Sequence, residues 1–172
     1  FFHTRQLGAN LIQVAKSAQA RVVVNLMDFW FLCPRFTLRK SDGSLCEGPE
    51  DGGSNCIPCN YPGLQGVEPA TGSAQGKRDQ SSRLRALLDR KDFLLEHLAL
   101  ADAVIAPSKF LASMFEKNGF HHRAMTVVPY GLEPGRVDAR PVDRPREPFR
   151  LAFCGVLSPW KGPRLLVDAV RQ

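Results

Sequence analysis

The sequence predicts an α/β protein built on a parallel sheet. Short apolar runs alternate along the chain with segments of helical periodicity, a pattern typical of strands covered by helices. The run at residues 21–26 centres on three consecutive valines, which suits a strand that is covered on both faces. With 172 residues, 44% of them hydrophobic, the chain can form one good core or parts of two.

The segments on either side of that run continue the alternation. Residues 1–3 have the composition of the end of a buried strand, and residues 7–19 place apolar side chains near helical spacing. Further along, Ser81 and Ser82 are predicted N-caps of a long helix whose leucines share one face as far as Ala101.

Two more strands and a capped helix follow. Residues 103–106 predict a short buried strand, and Ser108 is a natural N-cap for a helix over 109–118 that Gly119 ends. Residues 126–128 predict the next strand. The order of elements favours parallel pairing, because each strand reaches the next through a helix.

A change of composition marks a domain boundary. Residues 134–148 combine several prolines with charged residues, which is typical of a linker. A strand over 149–154 is then predicted, followed by a loop to Gly162 that opens a final helix. We therefore expect one domain over 1–133 and the start of a second over 149–172.

A segment without periodicity interrupts the first domain. Residues 33–60 are rich in cysteine, glycine and proline, and residues 61–80 are rich in glycine, alanine and glutamine, as a mobile loop is. Such a long structureless stretch is unusual inside a compact domain, so something must hold its first part.

Four of the five cysteines fall in that first part, with the spacing C-x12-C-x9-C-x2-C. Cys56 and Cys59 form a C-x-x-C pair, and Cys33 and Cys46 could complete a four-sulfur shell around structural zinc. An iron–sulfur cluster, redox disulfides and four unrelated thiols are the alternatives. A closed four-thiolate shell would supply folding free energy and leave no open position for substrate.

The charge of the chain limits its partners. The net charge of +6 permits weak attraction to phosphates or to an anionic membrane face. The basic residues are scattered, and acidic residues surround the cysteines, so we expect no nucleic-acid partner. No window holds the roughly 20 apolar residues of a membrane span, and no secretory signal is present. We expect a cytoplasmic protein, with peripheral contact at the inner membrane face as an option.

Several motifs, taken in order, resemble the family 4 glycosyltransferases, which have the GT-B fold. The segment from Asp28 to Arg35, with Trp30 and Cys33-Pro34, is similar to a family segment that follows a strand. Individually the motifs are moderately specific; their common order and spacing are more so. The further matching segments are 45–49, 56–59, 101–108, 127–131, 153–155 and 161–162.

The resemblance implies two Rossmann-like domains that face each other across a cleft. This chain would hold the C-terminal part of the acceptor-side domain and the first β-loop-α unit of the domain that binds a nucleotide-diphosphate sugar. The implied reaction moves a hexose, with retention, to a polysaccharide or lipid-linked acceptor. The family needs no catalytic metal, so any zinc would be structural.

The resemblance also implies donor-binding residues. Gly155 and Gly162 would let the backbone approach a diphosphate, and the Lys161 ammonium would stabilise the departing negative charge. A family arginine is replaced here by Val156, which removes one phosphate contact.

On the acceptor side the resemblance points to Asp28 and His3 as catalytic-cleft residues. A family histidine that precedes the aspartate is replaced by Met27, which we interpret as a packing residue at the strand end. An aspartate after a strand is also an ordinary turn residue, and His3 is equally compatible with a buried core histidine.

Two considerations limit the activity expected of these residues. The chain lacks an initial Met, and the family's acidic pair E-x7-E would lie beyond Gln172, so we expect an internal piece that is inactive alone. Two other functions remain open: a non-enzymatic, zinc-stabilised binding module, and a GT-B epimerase or phosphorylase. The sequence after Gln172 would discriminate among them.

Overall fold

A computed structural model describes residues 7–61, 74–131, 133, 135 and 150–171, with the backbone alone at 74–79. The chain divides into two compact units, residues 1–131 and 132–172, and the division lies just ahead of the predicted linker. The predictions for residues 1–3, for most of the loop over 61–80 and for nearly all of the linker fall outside the described residues.

The described residues of the first unit contain a three-stranded parallel sheet. Its strands are β1 (Val23–Asn25), β2 (Ala103–Ala106) and β3 (Met125–Val127), in the order β1-β2-β3. Val104 at the centre pairs with Val24 on one side and Met125 on the other. The predicted parallel α/β class is confirmed.

Five helices of the first unit have their bounds within the described residues. Ser108 caps the last of them as predicted: its Oγ accepts a hydrogen bond from the Leu111 N–H at 3.1 Å. Gly119 follows that helix with a φ of +86°, the left-handed conformation that ends many helices. The helices are α1 (Asn10–Ser17), α2 (Ile57–Asn60), α3 (Ala74–Leu88), α4 (Arg90–Ala99) and α5 (Lys109–Lys117).

The predicted long helix and the loop before it need correction. Helix α3 begins at Ala74, so residues 74–80 are helical, and Ser81 and Ser82 lie inside the helix as interior residues. The segment is rich in alanine, glutamine, lysine and arginine, which favour helix formation. It has no apolar face, so no hydrophobic periodicity in the sequence indicates the helix. The predicted single helix is also two helices, because it is interrupted at Asp89.

The core of this unit lies between the sheet and its helices. Helix α4 packs against α1, and α5 packs against β2 and β3. Phe115 of α5 is fully buried, which stabilises the fold by about 1.5–3 kcal/mol relative to an exposed side chain. The other large, fully buried side chains of the described core are Leu26, Leu32, Leu98 and Val104.

Asp102 joins three elements at the amino ends of the strands. One carboxylate oxygen accepts from the Lys16 ammonium at 2.8 Å, and the other accepts from the Val22 N–H at 2.7 Å. The contacts connect α1, the start of β1 and the start of β2. Both hydrogen bonds favour the ionised form, with Lys16 the larger cause, and they lower the pKa of Asp102.

A short hairpin folds the first part of the cysteine-rich insert. Arg39 and Leu45 form an antiparallel bridge, and Gly43 makes the turn between them with a φ of +87°. The Cys46 N–H then donates to the Leu38 carbonyl at 2.8 Å. The hairpin therefore returns Cys46 to the stretch of chain that follows Cys33.

The rest of the insert is docked on α5. Lys117 pairs with the Glu47 carboxylate, and the Asn118 amide donates to the Glu47 carbonyl at 2.8 Å. A 3-10 helix, Asp51–Cys56, follows and is kinked where its two glycines have positive φ. It leads directly into α2, which carries Cys59.

The second unit is described at residues 133 and 135 and over 150–171. It contains a 3-10 helix, Pro159–Lys161, and α6 (Pro163–Val170), which confirms the predicted final helix. The predicted strand over 149–154 is wrong for its described part, because residues 150–154 form no strand. A strand needs a hydrogen-bonded neighbour, and the described residues of this unit provide none. In neither unit is a described helix both long and apolar enough to cross a bilayer.

Candidate functional site

A cleft of about 760 Å³ runs beside β1. Its walls come from α1, from β1 and from the turn after β1, and most of its lining is apolar. Its polar groups at the carboxyl end of the strand are Asn25 and Asp28. Ligands of open α/β sheets bind outside the carboxyl ends of the strands, so this cleft is the natural candidate site of the first unit.

Asp28 begins a turn at the mouth of that cleft. Its Oδ1 accepts a hydrogen bond from the Trp30 N–H at 2.8 Å, the geometry of an Asx turn. The preceding Met27 is 62% exposed and lines the cleft, so its interpretation as a packing residue is wrong. The second predicted cleft residue, His3, lies outside the described residues.

The four clustered cysteines are free thiols that share one neighbourhood. Cys33 is buried and the other three are half-buried. Burial first, and then the charges of Cys33, Cys46 and Cys59, raise the pKa of the Cys56 thiol to about 11. Electrostatic effects of this kind indicate that each of the other three thiols lies within reach of Cys56.

Local hydrogen bonds already support these thiols. The Gly48 N–H donates to the Cys46 Sγ at 3.4 Å, and the Arg35 guanidinium donates to the Cys59 carbonyl at 3.3 Å. Across the described ranges, no group of three or more His, Cys, Asp or Glu side chains is arranged to hold a metal ion. The sulfurs are thus gathered in one region without forming a closed coordination shell.

Sequence reasoning missed Arg90, which lies between the thiols and the cleft. One guanidinium nitrogen donates to the Trp30 carbonyl at 2.5 Å, and the guanidinium lies 5.3 Å from the centre of the Trp30 ring. Burial lowers the pKa of Arg90, while Cys33, Cys56 and Asp28 act in the opposite direction. Helical spacing was a signal for this residue. Arg90 precedes the buried Leu94 by four positions, so the two residues lie on the same face of the helix.

The predicted donor-binding residues lie on one loop of the second unit. Lys161 is exposed at the end of the 3-10 helix, and Gly162 has a φ of +71° at the start of α6. Gly155 also has a positive φ, which favours glycine at that position. Between them, the buried Ser158 hydroxyl has no hydrogen-bond partner among the described residues.

Comparison of the chain with protein-family models, with curated proteins and with solved structures finds no match. The function of the chain is therefore inferred from its sequence motifs and from the three groups of residues described above: the cleft beside β1, the clustered thiols with Arg90, and the glycine- and lysine-containing loop.

Proposed function

We propose that this chain is part of a glycosyltransferase that moves a hexose, with retention, from a nucleotide-diphosphate sugar to a polysaccharide or lipid-linked acceptor. The observation that carries the proposal is the cleft beside β1, with Asp28 at the carboxyl end of that strand in a parallel sheet. The ordered motifs that resemble family 4 glycosyltransferases supply the reaction class.

In this proposal the first unit is the acceptor-side domain of a GT-B fold. The apolar walls of the cleft would hold the non-reacting part of an acceptor, and Asp28 would contact its polar end. One Asp28 oxygen is engaged by the Trp30 N–H, which fixes the orientation of the carboxylate. A positioned carboxylate of this kind can orient a hydroxyl group or accept its proton.

The second unit would supply contacts to the donor. The Lys161 ammonium is exposed, and the glycine after it leaves the backbone open at the start of α6. A helix start and a lysine together favour bound phosphate. The same charge would stabilise the nucleoside diphosphate as it leaves the sugar.

We also propose that Cys33, Cys46, Cys56 and Cys59 hold a structural zinc ion. The hairpin and the short helix α2 return the cysteines to one region, and a backbone N–H already supports the Cys46 sulfur. Four sulfur ligands fit tetrahedral Zn²⁺. The ion would stabilise an insert in which few side chains are buried, and it would take no part in sugar transfer.

The proposed location is the cytoplasm, with peripheral contact at the inner membrane face, where lipid-linked acceptors collect. The net charge of +6 supports attraction to an anionic surface. Binding to anionic vesicles that weakens with added salt would support this contact, whereas absence of binding at every salt concentration would contradict it.

Nucleotide binding tests the proposed function directly. Titration with uridine, guanosine and adenosine diphosphates, followed by NMR, should show binding of at least one of them at millimolar concentration or below. Lys161→Ala should weaken that binding about tenfold, as expected for loss of one charged phosphate contact. Arg164→Ala is the matched control, because its side chain is 92% exposed and pairs only weakly with Asp168. Equal effects of the two substitutions would contradict the donor site.

A further inference from the structure

We propose that Arg90 is the cation that supports the thiolate cluster from outside the metal's own ligands, with its free NH1 group donating to a ligating sulfur of Cys33 or Cys56. This inference rests on the proposed zinc site. It assigns to a single half-buried side chain the tasks of balancing the charge of the cluster and of joining it to the cleft.

The position of Arg90 is fixed on several sides. It begins α4, its guanidinium lies over the Trp30 ring, and its NH2 group donates to the Trp30 carbonyl. The NH1 group is buried and has no hydrogen-bond partner among the described residues. An unpaired buried donor is unfavourable, so the fold would gain from an acceptor at that place.

The space beside Arg90 restricts what that acceptor can be. A cavity of about 10 Å³ lies between Arg90, Cys56, Gly53 and Leu88. That volume accommodates no more than about one water molecule, which excludes a phosphate or a sugar. The acceptor is therefore a group of the chain or a single water molecule, and Cys56, which lines the same cavity, supplies the candidate group.

Charge balance gives a second reason for this pairing. Four thiolates around one divalent ion leave an excess of negative charge, and burying that excess is costly without a positive neighbour. Arg90 has the complementary problem, since its buried NH1 group carries part of a positive charge and has no acceptor among the described residues. Cys56 lines the cavity beside Arg90, so its thiolate in the metal-bound cluster would be placed to offset part of that cost.

The same residue connects the metal region to the cleft. Trp30 receives the Arg90 hydrogen bond through its carbonyl and donates through its N–H to Asp28. An Arg90 held by the thiolates would hold the Trp30 backbone, and with it the Asp28 turn. Occupancy of the metal site would therefore determine how firmly the cleft wall is held.

The test compares metal binding by the wild type, Arg90→Met, Arg90→Lys and the control Arg85→Met. Zinc affinity is measured by competition with a chromophoric chelator, and the thiolate-to-metal charge-transfer band is recorded with Co²⁺. Arg90→Met should bind zinc about 10–100-fold more weakly, as expected for loss of a partner that hydrogen-bonds a ligand, and should shift the Co²⁺ band. Arg85→Met should match the wild type, because Arg85 is 85% exposed.

Arg90→Lys keeps the positive charge but lacks the planar guanidinium. If Arg90→Met does not fold, this variant alone tests whether Arg90 supports the cluster. Arg90→Lys should lose less zinc affinity than Arg90→Met. It should still shift the Co²⁺ band relative to the wild type, because the hydrogen bond to sulfur changes. Wild-type affinity and an unchanged band in both Arg90 variants, or in Arg90→Lys when it alone folds, would overturn the inference while leaving the zinc site in place. A wild type that binds neither metal would refute the zinc site itself, and the role of Arg90 with it.

Discussion

Gly48 lies so close to Asn118 that a Cβ on the glycine would come within 1.9 Å of the asparagine Oδ1. The Asn118 side chain cannot easily move away, because its amide donates to the carbonyls of Glu47 and Met114, both at 2.8 Å. This contact sets the segment that carries Cys46 against the end of α5. The cysteine-rich insert is thus fitted to the sheet domain by backbone approach as well as by charge.

Gly48→Ala should therefore destabilise the protein by about 2–4 kcal/mol, since it combines a steric clash with a φ of +126°. Gly43→Ala is the matched control: its φ is +87°, and nothing lies within 4 Å of the added Cβ. It should cost about 1 kcal/mol from backbone strain alone. Urea unfolding measures both, and equal losses would contradict the close docking.

The stability of the first unit should depend on pH through Asp102. Its pKa is lowered by the Lys16 hydrogen bond first and by the Val22 N–H second. A lowered carboxyl pKa stabilises the fold fully above the unfolded value of about 3.9, and the stabilisation is lost as the pH falls through the folded value. Asp102→Asn should remove this dependence, and Lys16→Met should remove part of it. Unfolding curves between pH 2 and pH 6 that are parallel in all three proteins would refute this role.

Protein purified under reducing conditions should contain about one zinc ion per chain by elemental analysis. Cys56→Ser should lose the ion, whereas Cys154→Ser should keep it, because Cys154 is an exposed thiol in the other unit. Chelation should lower the thermal stability of the wild type but not that of Cys56→Ser. Iron with visible absorption would favour the iron–sulfur alternative. Protein that holds neither metal would contradict the proposed cluster.

Two substitutions at Asp28 separate its turn from its proposed role in the cleft. Asn keeps an oxygen that can accept from the Trp30 N–H, whereas Ala does not. Asp28→Asn should retain stability and lower sugar transfer by the full-length protein about 100-fold or more, as expected for loss of a catalytic carboxylate. Asp28→Ala should lower both stability and transfer. Unimpaired transfer by Asp28→Asn would reduce Asp28 to a turn residue.

Local signals predicted much of the first unit. Ser108 and Gly119 bound α5 through contacts within a few residues, and strand β2 combines a short apolar run with neighbouring helices. These features are readable because their causes lie in adjacent sequence. The start of α3 was missed because a polar helix has no apolar periodicity to mark it.

Features that depend on distant contacts were not predictable in the same way. Residues 150–154 have strand composition, but strand structure also requires a paired neighbour. Arg90 is half-buried against Trp30, sixty positions away, so its environment is set by tertiary contacts. The cysteine spacing predicted a shared site, whereas the backbone approach of Gly48 to Asn118 required the structure.

The most direct test of the proposed function is nucleotide-sugar turnover by the full-length protein, measured as release of nucleoside diphosphate with and without acceptor glycans. Wild-type protein should release the nucleotide, and Lys161→Ala should reduce kcat about 100-fold or more, because one charge that stabilises the leaving diphosphate is gone. Arg164→Ala should stay within a few-fold of wild type, since its side chain is exposed. No turnover of any common nucleotide hexose, or equal turnover by the two variants, would contradict the proposal.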